Sequence, residues 1–220
     1  MIPSHYFPLR GPEYELKIGA SPIASSAEIL ERDELFAAEM ELKQRCLDWN
    51  ADYYCQWLAG SEAAQREVAA LAGVEAEGGI RLAGDHVQED LLVLDAKRPG
   101  LPLIAGHLCF ANAWCLDDKM GRPFMEIHRP VPEFASTIGP SSEKLIERLK
   151  PGRPVARLNW AVKSSGQMDL TSRWDSQVAL WNAEVDADNA GERCWMRAER
   201  QTLSGLESSG AVLFTVHTYT

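Results

Sequence analysis

Apolar and polar positions along the chain change their spacing near residue 84. From 26 to 71, apolar residues recur at helical intervals, which predicts helices whose apolar stripe packs on a core. Ser61 is predicted to cap a second helix that runs to Leu71. The glycine-rich stretch 73–84 predicts a turn-rich connector. The apolar positions of the first stripe are Leu35, Phe36, Met40 and Leu47.

Beyond this connector, runs of β-branched and apolar residues bounded by glycine and proline predict strands, with a helix from about 142 to 149. Strands, a helix and further strands are typical of an α+β domain with an antiparallel sheet. We therefore predict an N-terminal helical extension over 1–84 and a sheet domain over 85–220, joined in one compact unit. The predicted strands lie near 91–96, 102–110, 154–163, 193–203 and 211–219.

Charge and composition exclude several partners. The net charge of -10 disfavours nucleic acid and anionic membranes, because both are bound through clusters of Lys and Arg. No targeting segment or membrane-spanning run is visible, which predicts a cytoplasmic protein. Five cysteines without a repeated spacing predict reduced thiols.

Several common cofactor-binding motifs are absent from the sequence, and their absence limits which cofactors the chain could bind. No C-x-x-C-H occurs, so any haem would be held without thioether links. No G-x-G-x-x-G follows a predicted strand, and the cysteines do not match iron-sulfur spacing. We therefore expect the chain not to collect electrons from a nicotinamide by itself.

His128 is the first candidate for a metal ligand. Pro130 and Pro132 fix their own φ angles and push the residues before them toward extended conformations, so the backbone after His128 has little freedom. Taken alone, a histidine in this setting is more often a satisfied core or surface residue than a ligand.

Several segments, read in order, resemble the family of the alpha subunit of haem-dependent oxidative N-demethylase. The resemblance covers roughly residues 80 to 220, and it departs from the family at Ala111 and Asn112, where the pattern usually has Pro-Ser. The segments are 87–94 (VQEDLLVL), 109–114 (CFANAW) with Lys119 and Gly121, 127–132 (IHRPVP), 152–155 (GRPV), 157–160 (RLNW), 199–203 (ERQTL) and 211–219 (AVLFTVHTY).

This resemblance implies a PAS-like fold that binds non-covalent haem b between the sheet and flanking helices. It implies a monooxygenase-like reaction in which a small secondary amine such as dimethylamine is demethylated with O₂, and formaldehyde is released. Electrons would come from a flavin and iron-sulfur reductase subunit, so FMN, 2Fe-2S and NADPH are expected on partner subunits. Folate would take up the one-carbon product.

The alternation of side chains along the predicted strands indicates which residues would face such a site. Alternation places Thr215, His217 and Tyr219 on one face of the last strand, a face that suits either a pocket or solvent. Glu199 shares a face with Arg197 and Gln201. Such a face is usually solvated, but if it lines a cavity, Glu199 could hold a cationic amine.

Arg157 and Asn159 share a face of their strand. Arg153 and Arg157 could bind haem propionates, with surface salt bridges as the competing explanation. The predicted site therefore has His128 as metal ligand. Its cofactor-binding residues are His128, Arg153, Arg157, Asn159, Trp114 and Tyr219, and its catalytic residues are Glu199, His217 and Thr215.

Two other functions stay open at the level of sequence. A haem-binding PAS-like domain can act as a gas or redox sensor, which would bind its ligand without dependence on an amine. The chain could also be a structural or binding subunit that has lost haem.

Overall fold

Seven strands form a single antiparallel sheet in the computed structural model, which describes residues 2–8 and 18–220. The strands are β1 (Ser21–Pro22), β2 (Cys55–Trp57), β3 (Asp90–Leu94), β4 (Leu103–His107), β5 (Val155–Lys163), β6 (Trp195–Gly205) and β7 (Val212–Tyr219). They lie side by side in the order β1-β5-β6-β7-β3-β4-β2.

Helices pack on both faces of this sheet. The helices are α1 (Phe36–Tyr54), α2 (Glu62–Leu71), α3 (Gly79–Gly84), α4 (Phe124–Ile127), α5 (Gly139–Glu147), α6 (Asp175–Ala183) and α7 (Ala190–Arg193). The predicted α+β class, with an antiparallel sheet and flanking helices, is confirmed.

The five predicted strands are present as β3 to β7, with ends shifted by a few residues. Strands β1 and β2 were not predicted; they pair with β5 and β4 and bring the N-terminal part of the chain into the sheet. The connector predicted over 73–84 contains helix α3. Gly84 in that helix lies so close to the ring of His107 that an added Cβ would be 2.1 Å from it.

Two apolar clusters cover the two faces of the sheet. On the α1 face, Leu91, Val93 and Leu213 pack with residues of α1 and α2. On the α4 face, Leu92, Leu203 and Val212 pack with residues of α4 and α5. The α1 face also carries Thr215, His217 and Tyr219, since residues two apart on a strand share a face.

The predicted packing stripe of α1 was largely wrong. Of its four apolar positions only Leu47 is buried, while two charged residues, Glu39 and Lys43, are buried at 5% and 1% exposure. Lys43 donates from Nζ to the carbonyl oxygens of Val87 and Glu89. The side of α1 that faces the sheet therefore combines these two charged residues with the buried apolar residues Cys46, Leu47 and Tyr54.

Ser61 does not cap α2 in the predicted way. Its hydroxyl donates to the carbonyl of Leu58 and accepts from the side-chain amide of Gln65, so no backbone N–H of the helix is bound by it. The sequence left two alternatives for the face of Arg197, Glu199 and Gln201, solvent or a cavity lining. The structure excludes the solvated face, because all three side chains are buried.

Candidate functional site

His128 ends helix α4 with a fixed tautomer. Its Nδ1 lies 2.8 Å from the carbonyl oxygen of Phe124, and since a carbonyl only accepts, Nδ1 carries the proton. The ring stacks on Phe134 at a centroid distance of 4.3 Å. The other nitrogen, Nε2, keeps its lone pair and forms no hydrogen bond with any residue in the described part of the chain. This is the arrangement in which histidine binds metals, with the second nitrogen bound to a carbonyl.

Electrostatics keep this imidazole neutral. Burial lowers the pKa of His128, and the nearby cations Lys119 and Arg157 lower it further, while the bond to Phe124 opposes them. A neutral imidazole is the form that can bind a metal at neutral pH. The imidazole of His128 is therefore held in a fixed orientation and is in the neutral form that binds a metal.

A strip of polar side chains crosses β5 and β6 on the α4 face. Arg157 lies opposite Gln201 and donates to its Oε1 at 3.1 Å. Asn159 lies opposite Glu199 and donates to its Oε2 at 3.1 Å. Arg157 is one of the cations that lower the pKa of His128.

Glu199 is held on both carboxylate oxygens. Oε1 accepts from Nε of Arg197 at 3.1 Å, and Oε2 accepts from Asn159 and from Nε2 of Gln201. A carboxylate offers about four acceptor positions, so roughly one remains open, on Oε1. The side chain is 11% exposed, which lets a small donor reach it.

Arg197 connects this strip to neighbouring segments of the fold through hydrogen bonds. Its guanidinium is 1% exposed and donates to the carbonyls of Met168 and Phe110 and to the hydroxyl of Thr218. Because Arg197 neutralises Glu199, the carboxylate is a fixed acceptor rather than an uncompensated negative charge.

Residues 70–220 match the model of the family described as haem-dependent oxidative N-demethylase, alpha subunit-like. The chain belongs to this family. The description names haem as the cofactor and oxidative N-demethylation as the reaction, and "alpha subunit" indicates work with other subunits. The resemblance read from the sequence motifs is confirmed.

The residues present fit the haem that the family's description names. His128 would hold the haem iron through Nε2, since its tautomer and charge suit a metal ligand. Arg157 and Lys163 place positive charge on the same face of the sheet, in a chain whose net charge is -10. Guanidinium and ammonium groups are partners for propionate carboxylates.

Other predicted site residues are scattered. Arg153 is exposed in the loop before β5. Trp114 lies in a surface pocket with Lys119, Arg122 and Arg129, and it follows Ala113, whose φ of 62° is rare for a residue with a side chain. Within residues 2–8 and 18–220, neither Arg153 nor Trp114 forms a hydrogen bond or ion pair with the polar strip of β5 and β6.

Thr215, His217 and Tyr219 lie on the α1 face, opposite to Glu199. The predicted alternatives for this face were a pocket or solvent, and it is neither, because helix α1 and the segment before it cover the face. The hydroxyl of Thr215 bonds that of Thr202 at 2.7 Å. These three residues therefore have no part in the function proposed below.

His217 is surrounded by acids. Its Nε2 lies 3.5 Å from Glu39 and its Nδ1 lies 3.6 Å from Glu89. Burial opposes protonation of His217, but the surrounding acids, chiefly Glu39 and Glu89, raise its pKa overall. The remaining groups around the ring are Glu31, Asp33, Gln88 and Tyr219. We call these residues with His217 the acid cluster.

A second group of potential metal ligands consists of Asp90, His107 and Cys109, whose donor atoms lie within 4.8 Å of one another. Both oxygens of Asp90 already accept backbone N–H groups, from Cys109 and Phe110. Burial lowers the pKa of His107 to about 4, and the positive charge of Lys43 acts on the same ring. A cation would compete with that ammonium group, so we assign the group to packing.

Sequence reasoning missed Arg197 and Lys163 as site residues. The signal was available for both, because alternation along the predicted strands places Arg197 with Glu199 and Lys163 with Asn159.

In the described part of the chain, no helix is long and apolar enough to span a bilayer.

Proposed function

We propose that this chain binds haem b through His128 and oxidatively removes an N-methyl group from a small secondary amine such as dimethylamine. O₂ is the oxidant, and the products are formaldehyde and the demethylated amine. The observation that carries the proposal is the oriented, neutral imidazole of His128, in a fold that also holds a polar strip with Glu199 on the α4 face of the sheet.

Bound haem would supply O₂ activation next to the amine. The chain's own residues have separate tasks in this proposal. His128 holds the iron through Nε2, and Arg157 pairs with a propionate. Glu199 accepts a hydrogen bond from the amine nitrogen at the open position of Oε1, which orients the methyl group. Asn159 and Gln201 keep the carboxylate from rotating.

Electrons reach this site from elsewhere. The family's description as an alpha subunit supports a partner that carries the reducing centres. We assign FMN, 2Fe-2S and the reaction with NADPH to this reductase partner, and place the complex in the cytoplasm.

Absorption spectra of the haem-reconstituted protein test the proposal. We expect a Soret band that is lost or strongly shifted in His128→Ala and that moves when dimethylamine is added to the wild-type protein. In Glu199→Gln the band should persist while the dimethylamine response weakens about tenfold or more, because a hydrogen bond to a charged group is lost.

His86→Ala is the matched control. His86 makes the same local bond, from Nδ1 to the carbonyl four residues earlier at 2.9 Å, but its side chain is exposed. Its replacement should leave the spectrum unchanged. A His128-dependent band that ignores amine would favour the gas or redox sensor instead, and a protein that takes up no haem would favour a structural subunit.

A further inference from the structure

A cavity opens on the surface beside the segment that carries His128. Its volume is about 220 Å³, and its walls come from the segments 113–122 and 126–130. Arg129 and Pro130, on one wall, follow His128 directly along the chain. We call this cavity the Lys119 pocket.

Lys119 is the buried cation of the pocket. It is 9% exposed, and its Nζ donates to the carbonyl oxygen of Ile127, in the peptide group that joins Ile127 to His128. An ammonium group has three N–H donors, and Nζ has no other hydrogen bond or ion pair within residues 2–8 and 18–220. Two donors are therefore left for an acceptor from outside, and a buried charge gains from a partner of opposite sign.

The acids of the pocket do not neutralise its cations. The wall has three cations and two acids. Glu126 forms an ion pair with Nη1 of Arg122 at 3.5 Å. Asp118 accepts through Oδ2 from the backbone N–H and the Sγ of Cys115 at 3.2 and 3.3 Å. Asp117 is not part of the wall and accepts from a glutamine of β2. With the ion pair set aside, two cations face one acid.

Those two cations are Lys119 and Arg129. The side chain of Arg129 forms no hydrogen bond or ion pair with any residue that the structure describes. Burial lowers the pKa of Lys119, Asp118 opposes this effect, and Arg122 and Arg129 add to it. The pocket therefore has an excess of positive charge, in a chain whose net charge is -10, and a single negative charge would balance it.

Trp114 forms the apolar wall of the pocket. The indole is half-buried, and it follows Ala113, whose φ is 62° and whose N–H donates to the carbonyl of Leu170 at 2.7 Å. A residue with a side chain keeps such a strained φ only where the surrounding structure fixes it, and these positions are frequent at ligand sites. The strained turn holds an aromatic surface on the same cavity as the two cations.

Size and charge select the ligand. At roughly 30 Å³ per water molecule, the cavity has room for about seven waters, which is enough for a small organic acid and too little for a whole haem. The flat fork of a guanidinium group matches the two oxygens of a carboxylate. A carboxylate also carries the single charge that balances the pocket, whereas a phosphate dianion would leave one charge unpaired.

We propose that the Lys119 pocket binds a carboxylate on a short hydrocarbon arm, with Lys119 and Arg129 binding the carboxylate and Trp114 contacting the arm. Two sources offer this group: a propionate of the haem and a free acid such as propionate. The site is additional to those of the proposed function, and only its haem source rests on that function.

NMR titration of the protein without added haem tests the binding of a free acid. The probes are propionate and the uncharged propionamide, followed through the indole N–H signal of Trp114, which is assigned by its loss in Trp114→Phe. We expect propionate to bind about tenfold or more tightly than propionamide, the range of a hydrogen bond between charged groups. Arg129→Gln should abolish this difference.

Absorption titration with haem and with haem dimethyl ester, whose propionates are blocked, tests the haem source. We expect haem to bind more tightly than the ester, and Arg129→Gln to narrow this difference about tenfold while the affinity for the ester stays unchanged. A difference that Arg129→Gln leaves intact, together with Arg129-dependent binding of propionate, would assign the pocket to a free acid.

Arg148→Gln is the matched control, since Arg148 is an exposed arginine that follows α5. It should alter neither the preference for propionate nor that for haem. The inference is overturned if propionate binds no more tightly than propionamide and the difference between haem and its ester does not depend on Arg129. A protein that takes up no haem would end the proposed function, while the propionate titration would still decide this inference.

Discussion

Asp90 shows how single buried acceptors shape the site from a distance. It is fully buried, and its two oxygens accept the N–H groups of Cys109 and Phe110, each at 2.8 Å. Those bonds fix the turn after β4, and the carbonyl of Phe110 in that turn accepts from Arg197. Asp90 therefore positions the arginine that holds Glu199.

Asp90→Asn should destabilise the fold by about 2–3 kcal/mol, because the amide NH₂ would face a backbone N–H and leave one donor unsatisfied. Urea unfolding followed by circular dichroism measures this difference. Asp95→Asn is the control, since the oxygen that binds the N–H of Lys97 is retained in an exposed turn. A loss of stability at Asp95 as large as that at Asp90 would contradict this account.

Which residues share a face of a strand could be predicted, because side chains alternate between the two faces with a period of two residues. Alternation correctly grouped Arg157 with Asn159 and Glu199 with Arg197. It could not tell which face of each strand would be covered, because that depends on segments far away in the chain. His217 is covered by residues around Glu31, 186 positions earlier, and no local pattern carries that information.

Helix α1 is the element whose packing the sequence pattern misjudged. A helix normally buries only its apolar stripe, yet α1 buries Glu39 and Lys43 in addition to Cys46, Leu47 and Tyr54. Lys43 donates to three backbone carbonyls, of Gly84 at the end of α3 and of Val87 and Glu89 before β3. The hydrogen bonds of Lys43 thus connect α1 to the segment that leads into β3. A pattern of hydrophobic positions does not reveal such bonds.

Lys43→Met should lower the free energy of unfolding by about 3 kcal/mol or more, because each carbonyl left unpaired in the interior costs ~1–3 kcal/mol. Methionine keeps much of the length and apolar volume, so the loss reports the hydrogen bonds rather than a cavity. Guanidinium unfolding measures it, and Lys97→Met at an exposed position provides the comparison. A variant as stable as the wild type would show that water satisfies these carbonyls.

Strands were easier to predict than helices for a physical reason. Strands β3 to β7 are rich in β-branched and apolar residues between glycine and proline, and that signal is local. Helix α6 (Asp175–Ala183) has no buried residue, so it has no one-sided apolar stripe to detect. Strands β1, with two residues, and β2, with three, are too short to show the two-residue alternation by which a strand is recognised.

At the scale of the molecule, the acid cluster links stability to pH. Acids around His217 raise its pKa in the folded protein, and burial raises the pKa of Glu89. A histidine with a raised pKa contributes stability that is complete below its unfolded value of about 6.5 and is lost as pH rises through the folded value. Glu89 has the same sign, since its raised pKa also means that folding favours the protonated form.

The free energy of unfolding should therefore fall as the pH rises above about 6.5, by at most about 1.4 kcal/mol per pH unit for each proton released. Urea unfolding at fixed ionic strength measures the slope. In His217→Gln the slope should become smaller, whatever the absolute stability of the variant. His86→Gln removes an exposed histidine and should keep the slope. A wild-type stability that rises over this range would contradict the assignment.

The strands at the two sides of the sheet also bear on how a partner can approach. β1 has two residues, one of them Pro22, which has no N–H to donate, and β2 has three. Long open sheet edges invite pairing with strands of other chains, and short edges with proline discourage it. β1 covers only Val155 and Ala156, however, so in the described part of the chain β5 has a strand on one side only from Arg157 to Lys163. We therefore expect strand-to-strand pairing with another chain to be discouraged at β2 and to be open along this stretch of β5.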